Sequence, residues 1–221
     1  MKFMERLTGI LVKPGETMKD IIKEPRIEEA LVIVGIYAIL TMLSTYIVTT
    51  HISYTYDVAG MDTMSGLQSI MTIVTLVFGL IAPFITWLII SGVLHLFSMA
   101  FGGSGKFYPP IVTGIGYSDI VKIFAVIIAI VLLTQTPVIT VEISSSNLSS
   151  VSSMTKELYS NPFYILSQLV VLLGLLWSSY LGALAIKEGE KLTMTQAIMV
   201  VGIPLVLYVA VSYGSMLLGF L

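Results

Sequence analysis

The chain of 221 residues is 56% hydrophobic and 11% charged, with a mean hydropathy of +0.97 and a formal net charge of −2, whereas about 25% of the residues of a soluble domain carry charge. This composition indicates an integral membrane protein, and its continuous apolar blocks favour helices over a barrel of alternating strands. The absence of cysteine and the presence of two histidines exclude disulfides, iron–sulfur clusters and a typical zinc site, and we expect neither a metal nor a cofactor.

The first 29 residues form a polar segment ahead of the first apolar block, and they hold six basic and six acidic residues. Two apolar patterns with helical spacing lie in this segment, separated by a break at Lys13-Pro14-Gly15. The first comprises Phe3, Leu7, Ile10 and Leu11, and the second comprises Met18, Ile21 and Ile22. We expect residues 1–29 to be a cytoplasmic amphipathic segment of two interfacial helices, with a partly ordered tail as the alternative, and we expect no cleaved signal peptide.

Five apolar blocks are long enough to cross a bilayer, whose hydrocarbon core needs about 20 helical residues. They cover residues 30–50, 67–100, 120–136, 163–186 and 192–221. Ionisable residues flank nearly all of these blocks, as is typical of transmembrane helices. We therefore expect residues 30–221 to form one membrane domain.

The second block is ambiguous, because its 34 residues can form one long helix or two short spans that turn at Pro83. With one span, ten of the 11 Lys and Arg residues lie on the side of the N-terminus and Lys156 alone lies on the other side, whereas two spans give seven and four. The positive-inside rule favours a single span. The sequence thus predicts an all-α, polytopic bundle of five transmembrane helices, with the N-terminus in the cytoplasm and the C-terminus outside.

Two loops, residues 51–66 and 137–162, then lie on the outer side. Residues 51–56 and 138–143 are rich in β-branched and aromatic side chains, which predicts two strands that pair as a small exposed ribbon. Neither loop contains a tight cluster of catalytic groups.

Three catalytic motifs are matched only superficially. Ser104 lies in a Gly-rich turn, but intramembrane serine proteases take their histidine from a later span, and both histidines here precede Ser104. Lys106 follows glycines without the spacing or the hydroxyl residue of a P-loop. Asp57 and Asp119 fall on opposite sides of the predicted membrane, so they cannot share a proton as in an aspartyl protease. We therefore expect no enzymatic activity.

The candidate functional site is the inner junction between the second and third spans. Ser91, His95, Ser98 and Gly102 follow one helical face and form a polar stripe that should contact protein or water. His95 is then either a hydrogen-bonded interhelical residue or a substrate or proton site. Asp119 and Lys122 are spaced for an ion pair at the start of the third span.

The Gly-rich turn of this junction has backbone N–H groups that can cradle an anion, and Lys106 adds a positive charge beside it. We expect an anionic lipid headgroup or an acidic partner segment as its ligand, and a purely structural turn is the alternative. The predicted junction residues are His95, Gly102, Gly103, Lys106, Tyr117, Asp119 and Lys122.

Small side chains recur along the last two spans. Gly174, Ser178 and Gly182 are four residues apart in the fourth span, and Ser212, Ser215 and Gly219 line one side of the fifth. Small residues with this spacing let helix backbones approach closely. Their partner is either another span of the same chain or a second protomer.

Three segments, in this order, resemble the Yip-domain family, integral membrane proteins named for interacting with Ypt/Rab GTPases. They are the segment Lys13–Pro25 with its Pro-x-x-Thr start, His95-Leu96-Phe97 followed by the Gly-rich run Phe101–Phe107, and Gly116-Tyr117-Ser118. The resemblance covers the chain from about Pro14 to its C-terminus and implies the same five-span fold. The cytoplasmic segment is shorter than in the eukaryotic trafficking members and resembles the prokaryotic branch, so Rab binding is not carried over.

Together, these features predict a non-catalytic protein of a prokaryotic cell membrane that organises protein or lipid partners. The partners we expect are membrane lipids, other proteins or a second copy that packs through the small-residue faces, and no nucleic acid. A small-solute or lipid transporter is the alternative, although the predicted spans lack ionisable residues near their middle.

Overall fold

The computed structural model describes residues 1–57, 64–144 and 160–218. Its helices are α1 (Phe3–Val12), α2 (Pro14–Lys23), α3 (Ile27–Thr50), α4 (Met64–Ala100), α5 (Val112–Ser118), α6 (Ile120–Leu133), α7 (Pro162–Glu190) and α8 (Met194–Leu218). Within these described ranges, five helical segments are long and apolar enough to cross a membrane: Ile27–Thr50, Ser69–Ala100, Phe107–Leu133, Pro162–Glu190 and Met194–Gly214. The predicted helical fold with five spans is therefore confirmed.

The N-terminal segment folds as a hairpin of two short helices, α1 and α2, that break at Lys13 as predicted. Pro14 occupies the first turn of α2, where its missing N–H leaves no helical hydrogen bond unmade. Ile10, Met18 and Ile21 are fully buried. Since α2 packs against α5 and α7, the apolar faces of the hairpin are largely covered by the chain itself.

The second span is one uninterrupted helix, α4, of 37 residues, which confirms the prediction of a single crossing. At 1.5 Å per residue α4 is about 55 Å long, well beyond the ~30 Å hydrocarbon core, so it must tilt or project from the bilayer. Pro83 lies inside α4. One side of α4 packs closely on α3, since a Cβ added at Gly79 would lie 3.4 Å from the Met42 Cα.

The third span differs from its prediction at its start. Its helical segment begins at Phe107 with a π-helical turn, Phe107–Ile111, and continues through α5 and α6 to Leu133, whereas the sequence predicted a start at residue 120. The reason is that the residues from 111 to 117 carry no charge and are buried by neighbouring helices. As a consequence, Asp119 and Lys122 lie inside the span and not at its start.

The fourth span, α7, starts with an Asn161 side chain that accepts hydrogen bonds from the N–H groups of Phe163 and Tyr164. It packs between α6 and α8. Of the two partners left open for its small residues, the structure has another span of the same chain, because a Cβ added at Gly174 would lie 2.5 Å from the Ala125 Cβ. On α8, Ser212 is exposed, and the side chains of residues 215 and 219 lie outside the described part of the chain.

A parallel two-stranded ribbon joins β1 (Ile52–Asp57) and β2 (Ile139–Ser144), which confirms the predicted pairing. β1 follows α3 and β2 follows α6, and these two helices are neighbours. Because both strands leave adjacent helices in the same direction, they pair in parallel. The N–H of Ile139 donates to the His51 carbonyl at 2.8 Å and starts the ladder.

Candidate functional site

A buried carboxylate joins α4 to the end of α7. His95 Nδ1 lies 2.5 Å from Glu190 Oε1, and the Gly105 N–H donates to Glu190 Oε2 at 2.8 Å. The Glu190 side chain is 0% exposed and that of His95 is 17% exposed. Because both carboxylate oxygens have partners, Glu190 can be buried here and hold α4, the Gly-rich turn and α7 together. His95 is therefore an interhelical residue with a partner, one of the two interpretations of its position.

The N–H groups of residues 102–105 in the Gly-rich turn are bound within the chain, which favours the structural interpretation of the turn, and an anionic ligand at this turn stays a prediction. The N–H of Gly102 donates to the Met99 carbonyl, that of Gly103 to the Ser98 carbonyl, and that of Ser104 to the Glu190 carbonyl. With the Gly105 N–H also bound, the carboxylate of Glu190 occupies the place predicted for a ligand. Gly102 is exposed and adopts φ +88°, which favours glycine. Lys106 is exposed beside the turn.

The polar stripe on α4 is buried as predicted over most of its length. Ser91 and Ser98 are fully buried, and their hydroxyls donate to the carbonyls of Trp87 and His95. The Trp87 indole donates to the Val112 carbonyl at 2.9 Å, across to the start of α5. The stripe thus contacts protein, and only Gly102 at its end is exposed.

Tyr117 belongs to a second cluster, centred on Glu29 in the first turn of α3. The Tyr117 hydroxyl donates to Glu29 Oε2, which also accepts from Arg6 Nη1 at 3.0 Å. Arg26 donates to the other carboxylate oxygen at 3.1 Å. Glu29 therefore ties the N-terminal hairpin, the first span and the third span to one another.

Arg6 is the central cation of this cluster, and its side chain is 0% exposed. Besides Glu29, it donates to Asp20 Oδ2 at 2.9 Å and to the Glu24 carbonyl at 3.0 Å. Burial disfavours the charged form of both Arg6 and Asp20, but it is outweighed by the hydrogen bonds of Arg6 to Asp20 and Glu29 and by those of Asp20 with Arg6 and the N-terminal ammonium. The net effect raises the pKa of Arg6 and lowers the pKa of Asp20.

Four residues of these clusters were not predicted from the sequence: Arg6, Asp20, Glu29 and Glu190. A usable signal existed for Arg6, because it lies three residues after Phe3 and four before Ile10, on the buried face of α1. A charge on the apolar face of an amphipathic helix indicates a buried partner. Glu190 had no such signal, since its partners are 85 and 95 residues away in the chain.

Asp119 and Lys122 form a third cluster and make the predicted ion pair, with Lys122 Nζ 2.7 Å from Asp119 Oδ1. The Ser178 hydroxyl on α7 lies 3.4 Å from the same carboxylate oxygen. The ammonium also stands over the ring of Tyr37 on α3, 5.6 Å from its centroid. The predicted junction residues therefore do not form one site. His95 with the Gly-rich turn, Tyr117, and Asp119 with Lys122 belong to separate clusters that share no hydrogen bond among the described residues, and Lys106 is exposed beside the first of them.

The described residues contain no group of three or more His, Asp or Glu side chains that could hold a metal ion. What the three clusters can do is hold helices together: each one bridges at least two elements that are distant in sequence.

A sequence model of the Yip1 domain matches residues 8–216 of the chain. An uncharacterized protein of Methanocaldococcus jannaschii is 35% identical over 96 residues, which cover 43% of this chain and 65% of that relative. The match thus spans just under two thirds of the relative's length. No solved structure matches the chain significantly.

Proposed function

The chain belongs to the Yip1 domain family, and from this membership we propose that it is a non-catalytic membrane protein that organises protein or lipid partners. We place it in a prokaryotic cell membrane, which the archaeal relative supports, with its N-terminus in the cytoplasm and its C-terminus outside.

The observation that carries this proposal is that the buried carboxylates of Glu29 and Glu190 are bound within the chain. Arg6 and Glu29 bind each other, as do His95 and Glu190. Groups held this way stabilise one arrangement of the hairpin and the spans, which suits a rigid platform for partners better than a reactive centre.

The surfaces available to partners surround this platform. Lys106, Phe107 and Tyr108 are exposed next to the Gly-rich turn. Along α4, large apolar side chains such as Phe78 and Leu96 are exposed, and only lipid tails or apolar helices suit such a surface in a membrane. The small-residue face of α7 is occupied by α6, so a second copy would have to bind elsewhere.

Affinity capture from native membranes in mild detergent tests the proposal, with Arg6→Met and Arg26→Met as a matched pair. Both arginines bind Glu29, but Arg6 is buried and Arg26 is 42% exposed. We expect wild type and Arg26→Met to retain the same proteins and lipids, and Arg6→Met, which loosens the platform, to lose them. Retention of the same set by Arg6→Met, or of nothing specific by wild type, would overturn the proposal.

A transporter is a second candidate because of one observation, the Asp119–Lys122 pair inside the third span. Ionisable pairs at membrane depth often mark ion or proton pathways. Proton flux into liposomes that contain the protein, abolished by Asp119→Asn, would favour transport. Flux equal to that of empty liposomes would remove this candidate.

Cysteine labelling tests the orientation, since the natural chain contains no cysteine. We expect an impermeant thiol reagent to label a cysteine at position 145 on intact cells, and to label Gly103→Cys only after permeabilisation. Labelling of Gly103→Cys on intact cells would place this turn outside and contradict the proposed orientation.

A further inference from the structure

The first helix of the N-terminal hairpin, α1, has a second apolar face opposite to the one that packs on the chain. Met4, Leu11 and Val12 follow one side of the helix, because they are separated by seven and eight residues. Their side chains are 67%, 38% and 77% exposed. The other side of α1 carries the buried residues Arg6 and Ile10. Only one of these two sides is therefore covered by the part of the chain that the structure describes.

The second helix of the hairpin, α2, has a different outer surface. Apart from Gly15, its exposed residues are all charged, namely Glu16, Lys19 and Lys23, as is typical of a surface in water. On α1, Glu5 is the single charged residue that is exposed, and it lies at the edge of the apolar face. The exposed side of α2 thus suits water, whereas that of α1 suits an apolar phase.

The contacts of α1 place it at the boundary of the membrane. Arg6 Nη1 lies 3.0 Å from Oε2 of Glu29, which is in the first turn of α3. The Phe3 ring packs edge-on against Tyr117 of the third span, with 6.4 Å between the ring centroids. Since a ~30 Å hydrocarbon core takes about 20 residues of helix, the first turn of the 24-residue α3 lies near the boundary of that core. The bilayer is therefore the apolar phase within reach of α1.

We propose that the outer face of α1, formed by Met4, Leu11 and Val12, docks on the lipid surface of the membrane that the chain spans. α1 then lies in the plane of the interface, with this face about 5–10 Å into the boundary of headgroups and acyl chains. Arg6 holds the opposite side of the helix on the spans.

This contact differs from the one expected from the sequence, which assigned both helices of the hairpin to the interface. The lipid contact belongs to α1 alone, on a face whose residues Met4 and Val12 lie outside the predicted apolar pattern. Docking requires only that the chain spans a membrane. Neither the proposed orientation nor the organising role enters, so a failure of the docking would leave the proposed function in place.

Fluorescence quenching in phosphatidylcholine nanodiscs tests the docking, because single cysteines can be placed in a chain that has none. Met4→Cys and Val12→Cys on α1 are compared with Glu16→Cys and Lys19→Cys, which are matched exposed positions on α2. Each cysteine carries a small polarity-sensitive fluorophore. One quencher is a nitroxide on the lipid acyl chains near the headgroup, and the other is iodide in the water. Thermal unfolding checks that the four variants are folded.

We expect the nitroxide to quench positions 4 and 12 severalfold more strongly than positions 16 and 19, and iodide to give the reverse order. Because the fluorophore is itself apolar, reaction of the unlabelled cysteines with a charged maleimide is measured as well. This reaction should be severalfold slower at position 12 than at position 19, since a thiol in apolar surroundings stays protonated and is shielded from the reagent.

Two results would overturn the proposal. Iodide quenching and maleimide reaction that are equal on α1 and α2 would show that the outer face of α1 lies in water. Protection of positions 4 and 12 from both quenchers would show that a protein, such as a second copy of the chain, covers this face instead of lipid.

Discussion

Replacing Arg6 with methionine keeps an apolar stem but removes the buried guanidinium that joins α1 to α2 and α3. In wild type this group donates at 2.9 Å to Asp20 and at 3.0 Å to Glu29. Removing one partner of a buried ion pair costs about 3–5 kcal/mol. We expect a loss of about 3 kcal/mol in the free energy of unfolding, because Glu29 keeps Arg26 and Tyr117 as donors.

Arg26→Met is the control that isolates the effect of burial. Arg26 donates to the same carboxylate at 3.1 Å, but from a side chain that is 42% exposed. Exposed ion pairs contribute about 0–1 kcal/mol, since solvent screens them. The two variants should therefore differ by about 2 kcal/mol or more, although both lose one hydrogen bond to Glu29.

Urea unfolding of the purified protein in detergent measures the difference, and limited proteolysis near Lys13 reports on the hairpin by itself. In Arg6→Met, we expect cleavage of the hairpin under conditions in which the spans stay folded, because docking of the hairpin depends on Arg6. Equal destabilisation by the two variants, or a protected hairpin in Arg6→Met, would refute the role assigned to burial.

Three further outcomes are expected. Burial opposes ionisation of Asp20, but Arg6 and the N-terminal ammonium together hold its pKa below the ordinary value of 3.8. The contribution of Asp20 to hairpin docking is therefore present above about pH 4 and is lost as the pH falls through the folded-state pKa. Proteolysis of the wild-type hairpin should increase on acidification, and proteolysis that does not change with pH would contradict this. Gly105→Ala should lower the melting temperature by the equivalent of about 1–3 kcal/mol, because the new Cβ would overlap the Gly189 carbonyl. Gly15→Ala is the control, since a Cβ there has open space, and it should be neutral or slightly stabilising. Equal melting temperatures of the two variants would disprove the close approach of Gly105 to Gly189. Ser178→Leu should force α6 and α7 apart at a cost of about 1–3 kcal/mol in thermal unfolding, and an unchanged melting temperature would mean that this face is not packed.

Patterns in the sequence were sufficient to predict the number and type of the secondary-structure elements of this protein. Runs of apolar residues predicted five spans, and the break at Lys13-Pro14-Gly15 predicted two separate helices ahead of them. The distribution of lysine and arginine favoured one helix across Pro83, as the structure has it. The spacing of Asp119 and Lys122 also predicted their ion pair. The apolar runs, the break and the ion pair depend on neighbours within about one or two helical turns, so local periodicity and spacing are enough to predict them. The single crossing follows from the placement of Lys and Arg along the whole chain, which is also read directly from the sequence.

Only the tertiary structure decided which charges meet across helices. Arg6 and Glu29 are 23 residues apart, and His95 and Glu190 are 95 residues apart. Tyr117 was predicted beside His95, yet it binds Glu29, and Asp119 was predicted at the start of a span, yet it lies inside one. A helical repeat determines on which face a side chain lies, but not which helix packs against that face. A buried charge is stable only with a partner, so these side chains take the partners that the packing brings within reach.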